Sequence, residues 1–303
     1  MEAQAVKAAP LALVRSMSRE QAFVCIAHNC LAQVRANEVA VAGGNIESLH
    51  QMRVGLRRLS AAFALFRDVL RPPAALRSEL AWLDTLLGQA RDWEVLAWST
   101  LGQVAREQEG KDLAPALRSA AFLRAEQAHA EAGTALVSLR YARLMQALAR
   151  WLQDAPWRAE FKAAPRCCFD AGIVPFARNA LARNARRLVR RGAELRDAGA
   201  PARHRTRIAA KKVRYASEFF VALLGQRKAT RYVAALADVQ DALGWLNDVS
   251  VAARLLDELG NCEPALAPDA AFVRGYLAGR AQRDTALVLR RWKAFAALPV
   301  ARL

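Results

Sequence analysis

What the sequence lacks narrows it quickly. It contains no run of about 18 or more uncharged apolar residues, so nothing in it is built to span a bilayer. The N-terminus has no basic stretch leading into an apolar run, which argues against a secretory signal and for a cytoplasmic protein. Its five cysteines, Cys25, Cys30, Cys167, Cys168 and Cys262, form no C-x-x-C pair and no ligand spacing with histidine. That excludes the usual zinc patterns and reads as reduced thiols, with no metal or cofactor expected. Phosphate-loop glycine motifs and E-x-E-x-K runs are missing too, so the common signatures of phosphate-converting enzymes are absent. Aromatic residues make up only 7%, and few interleave with basic ones as a nucleic-acid stacking surface requires. No segment alternates with period two for long enough to form a strand, so the chain reads as all-α.

What is present is apolar residues and positive charge. The 303 residues are 54% hydrophobic, enough for a substantial core. Lys and Arg total 45 against 28 Asp and Glu, giving a formal charge of +17 and a pI near 10.7. Such an excess points to a polyanionic partner or surface. On charge alone nucleic acid, polyphosphate and anionic lipid all stand open.

Taken in order, residues 1–18 are Ala-rich and read as a flexible arm. Apolar periodicity predicts a helix from Arg19 to about Val41, closed by Gly43-Gly44. A second helix, capped by Ser48, runs to Arg71-Pro72-Pro73. A third starts near Ala74, Gly110 to Pro115 is a break, and a long helical stretch follows with an interruption near Gly133. Asp154 to Pro175 carries three prolines and reads as a linker. Beyond it come a basic helix over Phe176 to Arg196, a helix after Gly199-Ala200-Pro201, and one over Thr230 to Leu259. Gly225 separates the last two. A turn-rich break at Asn261 to Pro268 precedes a final helix from Ala270 to about Leu298. This gives two pseudo-symmetric four-helix bundles, repeat 1 over 19–155 and repeat 2 over 170–300, in a single domain.

The duplication rests on two motifs. His204, Arg207, Lys211 and Arg214 fall at i, i+3, i+7 and i+10, one face of a helix at about 100° per residue. His50, Arg53 and Arg57-Arg58 repeat the spacing of His204, Arg207 and Lys211-Lys212. Downstream, Leu87-Gly88-Gln89-Ala90-Arg91-Asp92 is echoed by Leu243-Gly244-Trp245-Leu246-Asn247-Asp248, at nearly the same separation. Rows of nitrogen donors beside apolar residues suit a string of anionic oxygens. Arg offers a planar fork to two oxygens at once, whereas Lys is a mobile point charge. Arg183, Arg187 and Arg190 form a further basic stripe that would extend the track if it packs beside the second motif helix. Asp92 and Asp248 read as braces for the cations. His28 and His129 read as ordinary surface or interface residues, and the seven tryptophans as packing residues.

Together, H-x-x-R-x-x-x-R/K-R/K and L-G-x-x-R/N-D, each present twice over nearly the whole chain, resemble the CHAD family, the conserved histidine α-helical domain. The resemblance implies an all-helical, pseudo-twofold pair of bundles around a basic cavity. It also implies a non-catalytic role, binding inorganic polyphosphate and associating with polyphosphate granules. The binding residues it implies are His50, Arg53, Arg57, Arg58, His204, Arg207, Lys211, Lys212 and Arg214, with Arg183, Arg187 and Arg190 alongside. The residues by themselves support only a polyanion, and nucleic acid is the alternative partner. Ser60 stands where the second copy has Arg214, a departure from the basic residue common in the family. The second half is therefore expected to hold anions more strongly than the first.

Overall fold

The computed structural model describes residues 4–107, 115–160, 167–196, 199–223 and 226–298. Expectations for residues 1–3, the break at 110–114, Pro165, the side chains of Cys167 and Cys168, and Gly225 lie outside these. All regular elements among the described residues are helical. Ser18 and Gln21 close a reciprocal capping box on α1 (Arg19–Ala36). The helix expected to reach Val41 breaks at Asn37, whose side chain bonds both the amide and the carbonyl of Val6, at 3.0 and 2.9 Å. A short α2 (Glu38–Ala42) follows.

In the first motif helix, α3 (Ile46–Leu65), the cap is Asn45 rather than Ser48. Its side chain accepts the Ser48 amide at 2.8 Å, and Ser48 is buried in the first turn. The helix also stops six residues short of Arg71-Pro72, because Phe66, Val69 and Leu70 turn into the core. Next comes α4 (Ala74–Glu94), continuing through a π-helical turn at Val95–Thr100 into α5 (Leu101–Glu107). The following helix, α6 (Pro115–Leu136), passes unbroken through Gly133. There the missing side chain lets Ala42 approach, and an added Cβ would lie 3.3 Å from its carbonyl oxygen. The break expected at Gly133 falls instead before Ser138, which caps α7 (Leu139–Asp154). Short α8 (Trp157–Glu160) and α9 (Cys167–Asp170) lead to α10 (Ile173–Ala193) and the second motif helix, α11 (Ala200–Phe220). Two long helices, α12 (Gln226–Cys262) and α13 (Ala267–Ala296), complete the described chain.

Packing puts the two motif helices at the centre. α3 touches α1, α4 and α11, while α11 touches α10, α12 and α3. The carriers of the second motif, α4 and α12, also meet, and α13 lies along α12. The halves share one large core: Phe23, Leu56 and Leu83 belong to the same cluster as Phe219, Phe220, Leu255 and Val273. Aromatic contact ties it together, since Phe66 stacks on Phe176 at 4.7 Å and lies 6.3 Å from Phe220. A smaller core within the second half holds Val213, Leu236, Leu243, Trp292 and Phe295. Residues 4–18 are not free. Leu13 is buried, Asn29 donates to the Ala9 carbonyl at 2.9 Å, and Ser18 and Gly172 pair through an isolated bridge. Local bonds from Asn29 and Asn37 hold that segment down where composition alone suggested an arm.

Arg58 belongs to this frame. It is buried, donating to Gln33 Oε1 at 2.9 Å and Asn29 Oδ1 at 2.8 Å, with its guanidinium 5.7 Å from the Phe219 ring. It thus joins α1, α3 and α11. Arg58→Ala is expected to lower unfolding stability by about 2–4 kcal/mol, because two acceptors lose a charged donor in a dry place. Chemical denaturation checks this. A loss below about 0.5 kcal/mol, the range of ordinary surface changes, would mean the bonds carry no weight.

Candidate anion-binding site

One face of α3 presents His50, Arg53 and Arg57 to a cavity of about 320 Å³. Arg91 and Asp92 enter it from the last turn of α4, and Val95, Leu96 and Thr100 from the π-helical turn. Arg207 comes from α11, and Asn247 and Asp248 from α12. Both copies of both motifs therefore meet around one space. The helical period explains the split within each basic pair: neighbours lie about 100° apart, so only one of them can face the cavity. Arg57 does so, while Arg58 turns inward to α1 and Lys212 turns away towards α10.

Charge in the cavity is crowded and partly dry. Arg53 is buried, and burial, with the charge of Arg57, lowers its pKa to about 10. Arg207 is lowered as well, first by burial. Lys211 stands beside Arg57, Arg207 and Arg214, and burial together with these cations brings its pKa down to about 7, against the opposing pull of Asp248. Burial and Arg91 also lower His50. Burial raises Asp92 and Asp248, although their cationic neighbours resist the rise. The two carboxylates act on Arg53 and Arg207 through space, whereas the contact ion pair of Asp92 is with Arg254 at 3.8 Å. Among the described residues, the buried Nε atoms of Arg53 and Arg207 have no hydrogen-bond acceptor. Buried donors normally find partners, so this pair points to an acceptor supplied from outside.

Several expected residues stand elsewhere. His204 is exposed on an adjoining cleft of about 430 Å³, shared through Arg207 and Asn247 and walled by Leu243 and Leu246. Arg214 is paired with Glu218 at 3.1 Å, an i, i+4 contact visible in the spacing. Arg183, Arg187 and Arg190 join Lys212 in a separate cleft. His129, expected at the surface or an interface, is buried with its Nε2 3.5 Å from Glu94. Arg91, missed as a site residue, occupies the position before Asp92 in the second motif, and that place was the available signal. Arg91 is itself held by Glu94.

The CHAD domain profile matches residues 25–257, a span that includes both copies of both motifs. The chain belongs to the CHAD domain family. The crystal structure of the CHAD domain from the plant Ricinus communis is 36% identical, with a TM-score of 0.86, over 99% of this chain and 97% of that one. PptA from Streptomyces chartreusis, 18% identical, shares the fold with a TM-score of 0.67, over 92% of this chain and 99% of that one. Among curated proteins none matches this chain.

In this CHAD domain the glycines of the two L-G motifs are not equivalent. Arg53 Nη1 donates to the Leu87 carbonyl at 2.8 Å, which brings the guanidinium against Gly88. A Cβ there would sit 3.2 Å from that Nη1, whereas one at Gly244 meets nothing within 4 Å. Gly88→Ala is expected to displace Arg53 and weaken anion binding several-fold. Gly244→Ala should leave binding unchanged and stabilise α12 by about 0.5–1 kcal/mol. Titration with an anionic ligand, paired with thermal melts, distinguishes the two. Equal behaviour of the variants would remove Gly88 from the positioning of Arg53.

Proposed function

We propose that this CHAD domain binds inorganic polyphosphate, without turning it over, in the cavity between α3, α4, α11 and α12. The observation that carries the reading is the ring of His50, Arg53, Arg57, Arg91 and Arg207, with two buried guanidinium Nε donors lacking acceptors. Such a ring suits a flexible chain of equivalent oxyanions better than a ligand with one fixed shape. Arginine forks and Lys211 would engage its phosphates through charge-assisted hydrogen bonds, with release of counterions. Membership of the family supplies the choice of polyphosphate; the residues supply the anion site. Among the described residues no aromatic side chain lines the cavity, which gives a nucleic-acid base nothing to stack on. Binding of this kind would place the protein on polyphosphate granules in the cytoplasm.

Labelled long-chain polyphosphate should bind tightly at low salt, lose affinity steeply as salt rises, and resist displacement by DNA or RNA. Incubation with Mg²⁺ should release no orthophosphate. Ready displacement by RNA would move the reading to nucleic acid, and steady orthophosphate release would move it to an enzyme.

Proton linkage gives a sharper test. In the free protein Lys211 titrates near pH 7, and phosphates beside it would raise that pKa. Above pH 7 the free lysine is mostly neutral while the bound one is charged, so binding takes up protons and affinity falls as pH rises. Calorimetry at pH 8 in buffers of different ionisation enthalpy should show this uptake in the wild type and lose most of it in Lys211→Arg. Unchanged uptake in that variant would acquit Lys211.

A further inference from the structure

Arg91 enters the cavity with a carboxylate behind it. Its Nη1 donates to Glu94 Oε1, three residues on along α4. Glu94 is only 4% exposed, whereas Arg91 keeps part of its side chain in the open. The other oxygen, Oε2, faces His129 Nε2 on α6 at 3.5 Å. Among the described residues neither of those two atoms has a hydrogen-bond partner. A buried carboxylate with one oxygen unused is costly, and an apolar side chain would serve the packing of α4 on α6 better. Burial and Arg91 lower the pKa of His50, and Glu47 and Glu94 oppose them, so the Glu94 charge is felt at a second cavity residue.

The duplication supplies an internal comparison. Matching Leu87–Glu94 to Leu243–Ser250 puts Asn247 at the place of Arg91 and Ser250 at the place of Glu94. Ser250 bonds its hydroxyl back to the Leu246 carbonyl at 3.0 Å. The leucine, the glycine and the aspartate stand in both copies. Arginine and glutamate are present together in the first copy and absent together from the second, so the carboxylate goes with the cation and not with the helix. The chain also turns from α-helical to π-helical directly after Glu94, and such widened turns recur at functional positions.

We propose that Glu94 is a positioning residue for anion binding, aiming the Arg91 guanidinium into the cavity while His129 confines Glu94 from behind. The inference rests on the anion-binding reading of that cavity. Fixing one nitrogen of the guanidinium leaves its other donors for the ligand and reduces the ordering that binding requires. Through space the same carboxylate repels an anion. The two effects have opposite signs, and a substitution can separate them.

Isothermal titration with tripolyphosphate, at fixed pH and salt, makes the test. Glu94→Met keeps the volume and removes both acceptors. Loss of a mere negative charge would tighten binding, whereas loss of positioning should weaken it by about three- to tenfold. Glu94→Gln, which retains an acceptor for Arg91, should recover most of that loss. Arg91→Gln should itself bind several-fold more weakly, and in its background Glu94→Met and His129→Leu should cause no further loss. Should circular dichroism show Glu94→Met unfolded, Glu94→Asp gives the same comparison, since it keeps the charge and withdraws it from Arg91. Tighter binding by Glu94→Met, or losses that add to that of Arg91→Gln, overturn the positioning role. Wild-type affinity in Arg91→Gln overturns it too and leaves the rest of the cavity standing. Failure of the wild type to bind tripolyphosphate overturns the anion-binding reading itself.

Discussion

Like charge held close together in a half-dry space is the constraint on which the rest of this structure depends. Arg53, Arg57, Arg91 and Arg207 share a cavity in whose lining, among the described residues, the carboxylates are Asp92 and Asp248. Neither is a contact partner of Arg53 or Arg207, so the cations are moderated rather than neutralised. Removing even one charge from water is expensive, and a site of this kind persists only if packing elsewhere outweighs it. The compensation is visible in the aromatic contacts of Phe66, Phe176 and Phe220, which fasten the C-terminal ends of both motif helices to α10. Full occupation of Arg53 by protein acceptors would be more stable and would leave a ligand nothing to bond.

The same residue types serve opposite ends within a few positions of each other. Arg57 faces the cavity, while Arg58, one residue on, spends its donors on Gln33 and Asn29. Arg53 combines both roles: one nitrogen is fixed on the Leu87 carbonyl, and another is left without a partner. That fixed bond sets the guanidinium plane before a ligand arrives, which reduces the ordering cost of binding. Arg214 takes a different course, held by Glu218, so a count of basic residues on the second helix overstates the charge available to an anion. The expected advantage of the second half is weakened accordingly. Arg91, from the first half, stands in the cavity where the second half presents neutral Asn247, but Glu94 holds it as Glu218 holds Arg214.

Much of this was legible before the fold was known. The duplicated spacing brought His50, Arg53, Arg57, Arg207, Asp92 and Asp248 to one place because a helical period converts sequence spacing into a face. The helices were readable for the same reason. Their ends were less so, since Asn45 displaced Ser48 as a cap, and the early end of α3 depends on where Phe66, Val69 and Leu70 find a core. Periodicity gives the direction of a side chain from its own helix and says nothing of what lies opposite. Arg58 was misplaced for that reason, its partners being on α1, 25 and 29 positions away. For His129 the choice between surface and interface stayed open for the same reason, because burial beside Glu94 depends on the packing of α6 against α4. The separate cleft of Arg183, Arg187 and Arg190 required knowing on which side of α11 the tenth helix lies.

The mixture of arginine and lysine in the motif follows from the same crowding. Arginine stays charged in almost any setting, so an empty cavity ringed only by arginines would carry its repulsion unrelieved. Lysine can release its proton, and Lys211 lies beside Arg57, Arg207 and Arg214, where release relieves repulsion. In the folded chain it titrates near 7, while an exposed lysine in the unfolded chain stays charged to near its ordinary value. Between those two values the unfolded state binds more protons, so this residue makes the free protein more stable as pH rises through that window. An anion reverses the balance by making the charged form the favoured one. The cavity then becomes most positive when it is occupied, and its empty form carries less repulsion than its arginines and lysine would suggest if all were charged.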